Sequence, residues 1–319
     1  NLVQTLYNSS MKKTVKRIRK IIEAIIKRIT IRVLSFLNTY LKFDIISIAS
    51  NTINKRHFYQ VNINKIKSIL KSEKIVFFDI GARGGINKDL AKYRDVLDVY
   101  VSDTDASESV KLSNEEGFHV INKGIGQKSE DEVDLYLCKK PAVSSVLRPN
   151  GRFLKYFTHG HLSRFEVINK EKVSTTNISS IFKYRDCLDL LKIDVQGYEL
   201  EVIKGLGEVR PLIIESEVSY VPLYQDSATF FELGKELYDM GYIMFHSSFR
   251  CIQSPILLPF TKKHVNQIPV HGDAWFIPDW TRKKGIDIIK HREKKWKAIM
   301  LLYGMESIFD YAISEIKNT

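Results

Sequence analysis

Lys74–Gly85 reads KIVFFDIGARGG, an apolar run that ends in an acid and opens into a glycine-rich turn. Ile75–Phe78 are apolar without interruption, which suits a strand covered on both faces in a parallel sheet. Gly81 and Gly85 let the backbone turn sharply and approach a ligand where a Cβ would intrude. The spacing is Gly-x-x-x-Gly, with Asp79 two residues ahead. A dinucleotide fold wants Gly-x-Gly-x-x-Gly, so that a helix N-terminus receives a pyrophosphate. The turn therefore argues against a nicotinamide-dependent oxidoreductase.

Outward from this turn the chain alternates. A helix is expected over about Ile86–Tyr93, then a strand at Asp98–Ser102, a helix at Ala106–Glu116 and a strand at Phe118–Lys123. Strand, helix, strand, helix, strand is the first half of a doubly wound sheet. Residues 132–180 interrupt it, with extra strands expected at Val133–Cys138 and Phe165–Asn169. The pattern resumes with a strand at Leu188–Val195, a helix opening at Glu199–Lys204 and a strand at Pro211–Val218. An amphipathic helix, Phe230–Met240, is stopped by Gly241 and followed by a strand at Tyr242–His246. Ala274–Ile277 closes the sheet before Pro278, and residues 281–315 return to helix.

The 319 residues carry a net charge of +12, which resembles a nucleic-acid signal until it is divided along the chain. Residues 11–32 hold nine basic side chains against one acidic, and residues 281–300 hold eight against two. Residues 33–280 hold 31 of each, so a groove tracking phosphates across the body is not expected. The division gives three parts: a basic helical extension (1–50), a catalytic body (51–280) and a C-terminal helical extension (281–319). In residues 12–40, Val15, Ile18, Ile22, Ile25, Ile29, Val33, Phe36 and Tyr40 line one helical face, with Lys16, Lys20, Lys27 and Arg28 mainly off it. That pattern suits a helix lying in a membrane interface and equally a terminal helix packed on the body. No run of ~20 apolar residues long enough to span a bilayer is seen. The ten residues before Met11 carry no weight in this reading, and no signal-peptide pattern is visible. Three scattered cysteines, Cys138, Cys187 and Cys251, suit a reducing cytoplasm, peripheral at the inner membrane face if the basic helix binds lipid.

Three places carry candidate chemistry. Asp79 with the Gly81–Gly85 turn suits S-adenosylmethionine, which has no phosphate and whose zwitterionic end offers an ammonium group to an acid. Asp103, eighteen residues beyond Gly85 and at a strand end, suits the two ribose hydroxyls of an adenosyl ligand. In LKIDVQGYEL (191–200), a strand aims Asp194 at the carboxyl edge of the sheet, and Gly197 permits the turn. Glu199 reads as a helix-start residue favoured by the dipole. No His, Cys, Asp or Glu cluster has metal-ligand spacing.

The run LLKIDVQGYELEVIKG (190–205) closely resembles the signature of the FkbM family of S-adenosylmethionine-dependent methyltransferases. So do FFDIGARGG (77–85), SDTD (102–105), SSVLRPN (144–150) and EVSYVPLY (217–224), in the family's order across residues 74–278. The resemblance implies a Rossmann-like class I methyltransferase fold, a mostly parallel seven-stranded sheet with an antiparallel last strand. It implies S-adenosylmethionine as cofactor and O-methylation of a hydroxyl on a sugar, glycan or related natural product. By position, Asp79, Gly81, Ala82, Arg83 and Gly85 would line the methionine end, and Asp103 with Thr104 the ribose. Arg83 stands where many relatives have Asn, and Asp103-Thr104 replaces the more usual Glu-Pro. Aspartate keeps the carboxylate but shortens its reach.

Methyl transfer from a sulfonium is an in-line displacement, so the protein's main tasks are alignment and exclusion of water. An alcohol must also shed a proton to a base within hydrogen-bond reach. Asp194 is the first candidate for that base, or for a carboxylate that positions the acceptor. Glu217 is second, and Glu215 and His246 stand behind them. A base-methylating enzyme would show Asn/Asp-Pro-Pro-aromatic where this chain has Asp-Val-Gln-Gly-Tyr. The reading from another class is a non-catalytic adenosyl-binding or scaffold protein at the membrane surface.

Overall fold

The computed structural model describes residues 63–114, 117–130, 132–155, 162–253 and 267–318. The basic helix expected over 12–40 lies outside them. The described strands are β1 (Ile75–Ile80), β2 (Leu97–Ser102), β3 (Phe118–Ile121), β4 (Gly124–Ile125), β5 (Val133–Cys138), β6 (Val167–Val173), β7 (Thr175–Thr176), β8 (Leu190–Ile193), β9 (Ile213–Ser219), β10 (Tyr242–Ser247), β11 (Arg250–Gln253) and β12 (Gln267–Pro278).

Seven of them form the main sheet in the order β10-β12-β9-β8-β1-β2-β3, with β11 paired to β12. β3, β2, β1, β8 and β9 run parallel, while β12 is antiparallel to both β9 and β10. This is the expected class I methyltransferase fold, antiparallel last strand included. The centre of the sheet is where apolar runs demanded it: Phe77, Phe78, Leu190, Leu191, Ile193, Ile213 and Ile214 are fully buried. The chain reverses its direction of winding between β1 and β8, and ligands bind at such switch points, beyond the carboxyl ends of the strands.

The interruption at residues 132–180 contains an antiparallel pair, β5 with β6, and a short parallel pair, β4 with β7. β6 begins two residues later than the expected Phe165, because Ser163–Phe165 forms a 3₁₀ turn, and it extends to Val173. The helix expected over Ile86–Tyr93 is also shorter. Gly84 and Gly85 hold positive φ and prolong the turn, and Asn87 then caps a single helical turn, Lys88–Ala91.

Residues 281–318 are helical as expected but broken into Lys283–Ile289, Glu293–Leu302 and Glu306–Asn318. His291 and Gly304 carry left-handed backbone at the two breaks. Trp296, Ala298, Ile299, Met300 and Leu302 are fully buried, and the middle helix packs against Ile63–Leu70. Its anchor is electrostatic. Asp189, fully buried just before β8, accepts from Arg292 Nη2 at 2.9 Å, Lys295 Nζ at 2.7 Å and the Val76 backbone N–H at 2.9 Å. Arg292 also donates to the carbonyls of Leu188 (2.6 Å) and Arg210 (2.7 Å). Arg282 pairs with Asp279 at 2.6 Å. Part of the second basic cluster is thus used inside the fold.

Replacing Asp189 with alanine strands two cations beside the sheet and is expected to cost about 3–5 kcal/mol, as for other broken buried pairs. Urea denaturation monitored by circular dichroism checks this. A loss below ~1 kcal/mol would place the network with ordinary surface pairs.

Candidate active site

The loop after β1 is tied to its neighbours by backbone contacts. Gly81 and Ala82 N–H groups donate to the Ser102 carbonyl at 2.8 and 3.1 Å, and Asp194 N–H donates to the Ile80 carbonyl at 2.9 Å. Gly81 has φ +83°, and a Cβ there would stand 1.9 Å from the Asp194 carbonyl oxygen. No other residue fits. At Gly84 and Gly85, by contrast, a Cβ would meet nothing within 4 Å, so the loop's far side is open.

Around this junction lies a cleft of about 290 Å³, lined among others by Gly81, Arg83, Gly85, Asp103, Thr104, Lys192 and Asp194. That exceeds the ~30 Å³ share of a single water by an order of magnitude. Ser144, Ser145 and Val146 contribute from the insertion, and Gln196 and Tyr198 from the loop after β8. A second hollow of about 310 Å³ shares Asp103, Thr104 and Gly124 with the first and adds Ser109, Ser113, Asn122 and Lys123.

Asp103 lies at the end of β2, 8% exposed, and its Oδ1 accepts from the Asp105 N–H at 2.8 Å. Burial raises its carboxyl above the ordinary range, against the pull of that hydrogen bond and of Arg83. Arg83 pairs with Asp105 at 2.7 Å. Hydrogen bonding from Ser107 and Arg83 holds Asp105 down to about 2, so it stays ionised. Thr104 lines both hollows. Ala82 is buried and not part of the lining.

Asp79 is fully buried and stands behind the cleft wall. Its Oδ1 accepts from Lys192 Nζ at 2.8 Å. Its Oδ2 is buried without a hydrogen-bond partner, a cost that an enclosed water would remove.

Past β8, Gln196 Nε2 donates to Asp194 Oδ1 and Glu217 Oε2, both at 2.7 Å. Its Oε1 lies 3.1 Å from the Tyr224 hydroxyl, and its backbone sits at φ +58°. One amide therefore holds two carboxylates together. Burial and the neighbouring Asp194 charge push Glu217 well above the ordinary range. Its Oε1 is 2.9 Å from His271 Nδ1. Glu199 is 4% exposed and its Oε1 accepts from the N–H groups of Val195 (3.2 Å) and Gly197 (3.0 Å), closing the loop. Glu215, one row deeper, takes the Tyr303 hydroxyl at 3.2 Å, and burial lifts it to about 7. His246, on β10, stacks near Trp275 with centroids 5.1 Å apart and is not in the cleft lining.

Asp103, Thr104, Arg83, Gly81, Gly85 and Asp194 thus meet around one cleft, with Glu217 tied in through Gln196. Lys192, Gln196 and His271 were not singled out from the sequence. Lys192 was findable, since a lysine inside the apolar strand of LDLLKIDV needs a buried partner. His271 was not, because its pairing with Glu217 depends on the strand register of β12 on β9. Among the described residues, no three His, Cys, Asp or Glu side chains converge as a metal site.

Residues 79–244, more than half of the chain, match the methyltransferase FkbM domain. The chain belongs to that family. It is an S-adenosylmethionine-dependent methyltransferase, and the residues lining the cleft lie within the matched segment. No curated protein matches. Solved structures that resemble it include the magnesium protoporphyrin IX methyltransferase of Synechocystis PCC 6803 with bound SAM, at 10% identity, covering 74% of this chain and 98% of that one (TM-score 0.32). TYW2 of M. jannaschii in complex with AdoMet shares 14% identity over 71% of this chain and 80% of that one (TM-score 0.30). The 1,6-didemethyltoxoflavin-N1-methyltransferase of Burkholderia thailandensis shares 12% over 77% and 91% (TM-score 0.30).

Glu199 gives the FkbM domain a pH dependence. Burial, then the nearby Glu217 charge, raises its carboxyl from the ordinary 4.5 to about 8. A raised folded value means stability that is full in acid, begins to fall above about 4.5 and is lost as pH passes about 8. Glu199→Gln keeps an acceptor oxygen for both N–H groups but cannot ionise. Thermal melts should show wild type and variant alike near about pH 5, and the variant more stable above about pH 8. Parallel curves would contradict this.

Proposed function

We propose that the enzyme O-methylates a hydroxyl of a sugar, glycan or related natural product. S-adenosylmethionine, when bound, supplies a methyl group on a sulfonium. Asp103, which lines both hollows, would hold the ribose, with the base toward Asn122 and the amino-acid end toward Gly81 and Lys192. Asp194 would receive the acceptor's hydroxyl and accept its proton as the oxygen–methyl bond forms and the carbon–sulfur bond breaks. Glu217 and Gln196 fix that carboxylate's orientation.

The observation that carries this reading is the pair Asp194 and Gln196 on the cleft wall, with Glu217 bonded to Gln196 behind them. A hydroxyl must lose a proton, and an oriented carboxylate at the transfer site is suited to take it. Residues 194–198 also lack the Pro-Pro-aromatic stretch expected for amino groups of bases. The basic, Ile-striped sequence of residues 12–40 suits an acceptor carried at the cytoplasmic membrane face, such as a lipid-linked glycan intermediate. Within this reading, residues 1–50 and 281–319 flank a catalytic body at 51–280. No helix among the described residues is long and apolar enough to cross a membrane.

Mass spectrometry of glycans and lipids from cells with and without the gene should reveal a product heavier by one CH₂. Asp194→Asn should bind S-adenosylhomocysteine like wild type in calorimetry yet slow product formation by about 10²–10⁴-fold, as for loss of a general base. Unchanged product formation would remove Asp194 from the role. Cofactor binding with no product from either protein would favour a non-catalytic adenosyl-binding protein.

A further inference from the structure

Lys192 is a charge in the middle of the sheet. It lies on β8 between the fully buried Leu191 and Ile193, in register with Asp79 on β1 and Glu215 on β9. Packing alone would favour an apolar residue there, because burying an ammonium is costly even when it is paired. Its side chain keeps 23% exposure, and it forms part of the cleft lining.

The lining is otherwise acidic, with Asp103, Asp105 and Asp194, and has two cations among the described residues. Arg83 is committed to Asp105 at 2.7 Å, at the Asp103 end. Lys192 lies on β8, separated by β1 from the strand that leads to Asp103, and its charge is coupled to Asp79 and Asp194. S-adenosylmethionine carries a sulfonium, an ammonium and a carboxylate. Acids in the lining suit the first two groups, and the carboxylate needs a cation.

We propose that Lys192 binds the methionyl carboxylate of S-adenosylmethionine, and that Asp79 anchors Lys192 rather than meeting the ligand itself. Asp79 is sealed behind the wall, and the Lys192 ammonium stands in front of its Oδ1. Burial by itself would lower the lysine, but Asp79, Asp194 and Glu215 together outweigh it and raise it. The group is a fixed positive charge, unable to serve as a base for the acceptor. A carboxylate on an ammonium is a charge-assisted hydrogen bond, stronger than neutral pairs. The aspartate in the glycine-loop motif then works through the lysine of the strand beside it.

This rests on S-adenosylmethionine being the cofactor, and the experiment separates the two claims. Calorimetry with S-adenosylmethionine and with decarboxylated S-adenosylmethionine compares ligands that differ only in the carboxylate. Wild type should favour the former by roughly 10- to 100-fold, the worth of one hydrogen bond to a charged group. Lys192→Met should lose that preference while holding the decarboxylated ligand as well as before. Lys192→Arg should keep part of it. Since Lys192→Met leaves Asp79 unbalanced, Asp79→Asn with Lys192→Met removes both charges and should also lose the preference. Equal binding of both ligands by wild type, or an undiminished preference in a folded variant without the lysine, overturns the proposal. Wild type that binds neither ligand overturns the cofactor assignment as well.

Discussion

The approach of Gly81 to the Asp194 carbonyl is the constraint on which the site depends. β1 and β8 are neighbours in a parallel sheet, so the loops that leave their carboxyl ends must share one crowded edge. With no Cβ and a left-handed backbone, Gly81 lets the first loop pass against the second, and two hydrogen bonds to Ser102 bind it to β2 as well. Three strand ends are thereby locked side by side. Each brings one element of the site: the glycine turn, Asp103 and Asp194.

Charge is distributed across that edge by depth. Half-exposed Asp105 is held ionised by Ser107 and Arg83, whereas Glu199, Glu215 and Glu217, farther from solvent, are lifted toward the neutral form. So many carboxyls packed together would repel if all were ionised; burial and protonation relieve this. Lys192 is the cation placed among them, paired with Asp79 and part of the cleft lining. Gln196 performs the neutral counterpart of that task, joining Asp194 to Glu217 without adding charge.

The sheet was legible because its central strands are short, apolar and bounded by glycine or acid. β1, β2, β8 and β9 fall within a few residues of their expected places. Their order and the antiparallel β12 came from the family resemblance, since periodicity does not encode which strands pair. Where the expectation slipped, local backbone chemistry intervened: positive φ at Gly84 and Gly85 delays the first helix, and left-handed His291 and Gly304 divide the last one into three. A charge count of the second basic cluster does not show which cations turn inward, and here Arg292 and Lys295 neutralise Asp189. In the site, strand-end acids and the glycine turn were visible because each sits at a fixed place relative to a strand. Partnerships across strands were not. Lys192 with Asp79 and His271 with Glu217 arise only when the register aligns them.

The account comes down to one cleft receiving an adenosyl ligand end to end. A crystal structure of the protein with S-adenosylhomocysteine measures this directly. The account predicts ribose hydroxyls on Asp103 and the amino-acid end in the hollow bounded by Gly81, Lys192 and Asp194. A ligand bound elsewhere, or one whose ribose turns away from Asp103, would contradict it.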